Sequence, residues 1–472
     1  MAPSPGPAVG HAAQLVYQPQ NAPSVLRRVA WPSPEALVVL WALAAATLYP
    51  PWGRYERFAL AGSVAAFACY LAGVRGDSLW QRTGPDPTAR LTRLLLAAAA
   101  LLALLGAVEP RFLYVQKFRT SWVCQGAQAW AGLALAGAFV GQLRGWRWNS
   151  RLAAGACLAL GLATFLVPVF SPVPFIDSWT LQHEAADFML GGRNPYTQHY
   201  TQIYPPERYG YNSHFGYLPL VGLWNLPWRM LAGDVRFGYA FADLASAALL
   251  YRLASRAGDH GENRLLGLAL AAAWLANPMR SLVVENCWSE PLLFLCASAA
   301  VWGAASGRPR AWLAQGLMLA SKQTNVFLGP LLLAGPRPVR QVALAGAVAA
   351  VTVLPWWAAD PLAFVGSTVL AFGPMLPRPD AFSLWAVGYN EFGVLLPGAF
   401  TWLPVAAAGA LALYWARQRR PDRTLAACAL TVWALCMFAR QSFANYHYFA
   451  HALLLLVLAV RTAQLAADPA HS

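Results

Sequence analysis

Charge is what this 472-residue chain has least of: 11% of its residues are Asp, Glu, Lys or Arg and 58% are hydrophobic, where a soluble chain carries about 25% charged residues. The shortage excludes a soluble globular protein and predicts an integral membrane protein. Acids are scarcer than bases, 20 against 34, for a formal charge of +14. The bases are scattered through short loops with no basic stripe and no aromatic interleaving, so nucleic acid is excluded as a partner. The seven cysteines (Cys69, Cys124, Cys157, Cys287, Cys296, Cys428, Cys436) lie in or beside apolar runs without CxxC or Cys/His spacing, and read as small hydrophobes. No tight carboxylate cluster is visible, so no divalent metal and no other cofactor is expected. His183-Glu184-x-x-Asp187 lacks the second histidine of the zinc-protease pattern, which excludes a metalloprotease. No internal repeat is visible, which weakens a transporter built on paired halves.

Long apolar runs are what the chain has instead. They fall at 35–50, 56–74, 91–107, 122–143, 151–170, 237–254, 264–279, 284–304, 339–357, 398–416, 422–439 and 445–462, mostly near the ~20 residues that span a bilayer. The fold expected is therefore all-α, a polytopic transmembrane bundle of about twelve spans. The segment 312–334 is interrupted by Ser321-Lys322-Gln323-Thr324-Asn325 and is expected as a pair of broken half-helices. Residues 216–232 carry Pro219, Pro227 and Arg229, and are expected as an amphipathic helix lying in the interface rather than a crossing. Arginines in alternate loops place both termini inside, with a cytoplasmic tail at 1–34, a four-span extension at 35–150, a core at 151–463 and a tail at 464–472. The core includes an external loop region, 171–236.

The wettest stretch, 171–215, lands outside. It carries Asp177, His183, Glu184, Asp187, Arg193, His199, Glu207, Arg208 and His214 among five tyrosines, Tyr196, Tyr200, Tyr204, Tyr209 and Tyr211. Asp177 reads either as the N-cap of a helix over 178–190 or as a general base at the membrane surface. Glu184, seven residues on, lies about 10 Å away along that helix, too far to share a proton with Asp177. Gly191-Gly192-Arg193-Asn194-Pro195-Tyr196 is a helix stop and turn. Tyr204-Pro205-Pro206 and Tyr217-Leu218-Pro219 offer stiff aromatic backbone to a sugar ring or to headgroups. Lys322 must be paired, snorkelling or holding an anion. Arg440 and His447 flank the start of the last span, as interfacial anchors or phosphate contacts. Glu285 and Glu290 read as structural pairs or as site residues.

Taken together, Asp177, Gly191–Tyr196, Tyr204–Pro206, Tyr217–Pro219, Lys322-Gln323 and Asn445-Tyr446-His447-Tyr448 resemble the landmarks of GT-C superfamily glycosyltransferases, closest to glycosyltransferase family 87. The resemblance covers residues 151–460. Four spans precede the expected core, and Glu285-Asn286 departs from the family pattern. It implies a mannosyltransferase-like enzyme of the plasma (inner) membrane that moves a hexose or pentose from a polyprenyl-phosphate donor to a lipid or glycan acceptor on the external, periplasmic face. Asp177 would be the base, and Lys322, Arg440 and His447 the donor-phosphate contacts. Glu184, Arg193, Asn194, Tyr196, Tyr204, His214, Tyr217 and Glu285 would line the substrate site. The alternatives are a lipid or polysaccharide transporter and an O-antigen-ligase-like transferase.

Overall fold

The computed structural model describes residues 33–51, 53–75, 86–109, 112–114, 118–205, 213–255, 261–306, 311–372 and 376–466. Most of both expected tails, and Pro206, Glu207, Arg208, Tyr209 and Tyr211, lie outside the described residues. Those described form nineteen α-helices with short 3-10 turns. In chain order they are α1 Pro34–Leu48, α2 Arg57–Arg75, α3 Pro87–Val108, α4 Phe118–Arg144, α5 Asn149–Phe170, α6 Asp177–Leu190, α7 Pro219–Ala232, α8 Arg236–Ala254, α9 Gly261–Leu275 and α10 Arg280–Glu285. There follow α11 Glu290–Ala305, α12 Ala311–Leu319, α13 Pro330–Ala334, α14 Pro338–Ala359, α15 Pro361–Thr368, α16 Leu384–Phe392, α17 Gly398–Arg417, α18 Pro421–Phe438 and α19 Ala444–Ala466.

Each of the twelve apolar runs contains a helix. Seven helices (α2, α3, α4, α5, α14, α17 and α19) are long and apolar enough to cross a membrane, and α1, α9 and α11 are shorter apolar helices. The architecture is that of a polytopic membrane protein; the full twelve crossings expected from the runs are not all supported by helix length and hydropathy. Proline opens many of these helices, as at Pro34 and Pro361, where its missing N–H costs no hydrogen bond. Ser33 and Asp360 accept the orphan N–H groups of Ala36 and Ala363.

The helix α19 is the axis, with 78% of its apolar window buried, whereas α14 buries only 6% of its own. Apolar residues such as Val351, at 76% exposure on α14, find their apolar surroundings in lipid. The amphipathic segment forms α7 as expected: Val221 and Asn225 are buried while Met230 and Leu231 face out. The interruption after α12 also forms. Ser321 Oγ donates to Met318 O at 2.6 Å, and Asn325 Nδ2 to the same carbonyl at 3.0 Å, so side chains satisfy backbone that a continuous helix would have used.

The first four helices are not a separate appendage. α1 packs on α19, α2 on α18 and α3 on α9. The α1–α2 loop crosses the N-terminal end of α19 at Gly53, whose φ is +66°, and a Cβ there would lie 2.4 Å from Ala444. Gly53→Ala is expected to cost about 1–3 kcal/mol, by positive-φ strain and by pushing the loop off α19. Thermal unfolding in micelles measures it.

Candidate functional site

Buried side-chain bonds hold α6 in place. Ser178 Oγ donates to Asn286 O at 2.5 Å, and Gln182 Nε2 to Cys287 O. Asn225 Nδ2 and the Tyr239 hydroxyl both donate to Gln182 Oε1. The turn that receives α6 is possible because Cys287 adopts a left-handed φ of 58°, reversing the chain between α10 and α11. Ile176, not Asp177, occupies the N-cap; Asp177 is the first helical residue, and its Oδ1 accepts from Ser178 N at 2.7 Å. A carboxylate there is favoured by the helix dipole.

A second group of polar side chains starts just after the turn that receives α6. Lys322 Nζ donates to Glu290 Oε1 at 2.6 Å, and Asn445 Nδ2 to the same oxygen at 2.9 Å. Lys322 also sits 4.8 Å from the Tyr446 ring centroid and 6.0 Å from that of Tyr217. Gln323 Nε2 anchors the turn by donating to Gly216 O at 2.9 Å and Thr368 O at 2.7 Å. Burial first, then the Glu290 and Asp177 carboxylates, push the Tyr217 phenol well above its usual value. The charges of Lys322, Glu290 and Asp177 all act on the Tyr446 hydroxyl. Tyr217, Lys322, Glu290 and Tyr446 therefore form one polar group, and the Asp177 charge acts on both of its tyrosines.

The remaining expected residues divide around this group. Tyr196 is buried and donates through its hydroxyl to Tyr217 O at 2.9 Å, so it braces Tyr217 from behind. Asn194 Oδ1 accepts from Tyr196 N at 3.1 Å and shapes the turn. Glu184 accepts from Thr201 N at 3.0 Å and ties the loop to α6. Arg193 lies 4.5 Å over the Phe188 ring on the exposed side. Tyr204 packs edge-on against Phe175 and hydrogen-bonds the Tyr114 hydroxyl. His214 is half-buried in the stretch leading to α7. The Arg440 carbonyl accepts from Arg378 N at 3.1 Å, which places Arg440 on the loop pair at the same end. His447 turns the other way: fully buried, its Nε2 is 2.9 Å from Phe382 O and its ring faces His451.

Glu285 is engaged by backbone, accepting from Leu113 N at 2.6 Å and Tyr114 N at 3.0 Å. Burial raises its pKa above the usual carboxylate range, against the pull of those two N–H groups. Glu285→Ala is expected to lower the unfolding midpoint by the equivalent of about 1–3 kcal/mol, because it leaves two donors without an acceptor. Glu285→Gln, which keeps one acceptor oxygen, is expected to lose less.

Tyr114 and Arg54 escaped the sequence reading. Tyr114 feels both the Asp177 and Arg54 charges, and each comes from a loop of the first four helices. Nothing in local spacing marks them; only the stiff Pro50-Pro51 turn before Gly53-Arg54 signals a held loop. Among the described residues no cluster of three or more His, Cys, Asp or Glu side chains is placed to hold a metal ion. Set beside models of known protein families, curated proteins and solved structures, the chain matches none.

Proposed function

We propose that this protein is a membrane glycosyltransferase of the GT-C type that transfers a sugar from a polyprenyl phosphate to a lipid or glycan acceptor. The observation that supports the reading is the Lys322–Glu290 pair at 2.6 Å, with the Asp177 and Glu290 charges both acting on the Tyr217 and Tyr446 hydroxyls. In the step proposed, an acceptor hydroxyl oxygen attacks the anomeric carbon and its proton passes to Asp177. The bond from that carbon to the phosphate oxygen breaks, and the polyprenyl phosphate leaves as an anion that needs no proton. Positive charge builds on the ring as in glycoside hydrolysis. An ammonium has three N–H donors, so Lys322 can hold Glu290 and still offer a donor to the departing phosphate. Tyr217 and Tyr446 present ring faces and hydroxyls to the sugar. Labelled-sugar transfer by the purified protein in vesicles, with the product identified by mass spectrometry, tests the reading. Failure with every polyprenyl-phosphate sugar overturns it.

One observation favours the transporter as a second reading. Asp243, Arg280 and His451 are fully or almost fully buried inside the bundle. Tyr448 donates to Asp243 Oδ1 at 3.2 Å, while Arg280 Nε and Nη1 and both His451 ring nitrogens meet no hydrogen-bond partner among the described residues. Buried ionisable groups in membrane proteins mark substrate or proton paths. Substrate flux in sealed vesicles distinguishes the two.

A further inference from the structure

We infer that Arg54, carried by the loop between α1 and α2, is a contact for the lipid-linked phosphate at the mouth of the site. The inference rests on the glycosyltransferase reading for the identity of the anion. The loop that carries Arg54 is fixed at several points. Gly53 lies against the backbone of Ala444, Arg54 forms a backbone bridge with Ala381, and Tyr55 N donates to Asp380 O at 2.9 Å. The Tyr55 hydroxyl is held by Glu391 Oε1 at 2.5 Å. Arg54 is thereby positioned over the N-terminal end of α19, the end that carries Asn445 and Tyr446. Its charge acts on the same Tyr114 hydroxyl as that of Asp177, and also on Asp380.

Four other cations are paired with acids. Lys322 is paired with Glu290, Arg378 with Asp380 at 2.8 Å, Arg236 with Asp234 at 2.6 Å and Arg229 with Asp187 at 2.7 Å. The acids nearest Arg54 in the chain and fold are committed too. Glu56 accepts from Phe58 N and Ala59 N at the start of α2, and Glu391 accepts from Tyr55. Arg54 is exposed, and no carboxylate among the described residues lies within ion-pair distance of it. An exposed guanidinium on a held loop, outside ion-pair distance of any described carboxylate, suits bidentate recognition of phosphate. The first four helices then deliver a substrate contact as well as lateral packing.

The test uses the full chain in neutral phosphatidylcholine nanodiscs, titrated with a polyprenyl monophosphate, with phosphatidylglycerol and with inorganic phosphate as separate arms. Arg54→Ala is expected to weaken polyprenyl-phosphate binding about tenfold or more, the usual worth of a charge-assisted hydrogen bond. Arg54→Lys is expected to restore part of the loss, and Arg54→Ala to flatten the salt dependence. Unchanged circular dichroism confirms that the variant folds, as an exposed side chain should allow. Unchanged polyprenyl-phosphate affinity in Arg54→Ala overturns the inference and leaves the transferase reading standing if Asp177→Asn still abolishes transfer. An equal loss toward phosphatidylglycerol also overturns it, because Arg54 would then be a general headgroup anchor. A loss confined to inorganic phosphate overturns the lipid-linked source. No saturable polyprenyl-phosphate binding by the folded wild-type protein overturns the inference and the transferase reading together.

Discussion

Asp177→Asn is expected to reduce sugar transfer by about 10²–10⁴-fold, the usual worth of a positioned general base, while donor binding stays within a few-fold of wild type. The substitution keeps the shape of the side chain and an oxygen for Ser178 N, the bond that Oδ1 accepts at 2.7 Å. It removes only the negative charge and the site for a proton. Ser178 and Gln182 hold α6 by buried bonds that the substitution leaves in place, so the variant should fold and insert normally. Steady-state transfer with a labelled donor, alongside a direct donor-binding titration, separates the two effects. Full activity in the variant would end the proposal that Asp177 is the base. Loss of binding in step with transfer would make Asp177 a substrate contact instead.

Glu290→Ala carries the largest expected effect on stability. The Glu290 side chain is 1% exposed and that of Lys322 is 12% exposed. Removing the acid leaves a buried ammonium without its counter-charge and the Asn445 amide without its acceptor. Breaking such a pair costs about 3–5 kcal/mol. Replacing both partners with Glu290→Gln and Lys322→Met is expected to recover most of the loss, since no buried charge remains. Unfolding of the wild type, Glu290→Gln, Lys322→Met and the double variant in mixed micelles gives the coupling directly. A Glu290→Ala protein as stable as wild type would show that the pair is solvated, and that Lys322 is available to an anion without exchange of partners. Transfer by the double variant, where measurable, reports what the ammonium adds beyond holding the fold.

The helices were legible in the sequence because the bilayer imposes a length and a composition on each run, and all twelve runs contain helices. The break at Ser321–Asn325 was legible for the same reason: polar residues interrupt an apolar run, and their side chains take the backbone bonds. Glu285 and Glu290 were harder to separate. They are five residues apart and alike in character, yet the left-handed Cys287 turns the chain between them. One carboxylate goes to the backbone of residues 113–114 and the other to Lys322. The bond from Tyr114 N to Glu285 was invisible because it crosses 171 positions of chain, and contacts of that kind leave no periodic trace. His447 was read from its neighbours in the sequence; a helix turns about 100° per residue, which carries it from the face of Tyr446 toward Phe382.

The almost bare α14 carries a consequence for handling the protein. Its 22 residues give a rod of about 33 Å, close to the ~30 Å hydrocarbon thickness of a typical bilayer. With so little of it sheltered by other helices, the solvent for that rod is whatever amphiphile surrounds the particle. Extraction into short-chain detergents should loosen α14 first, and with it the hold that this segment keeps between the Lys322 turn and α15. Reconstitution into lipids of matched thickness should bring both back.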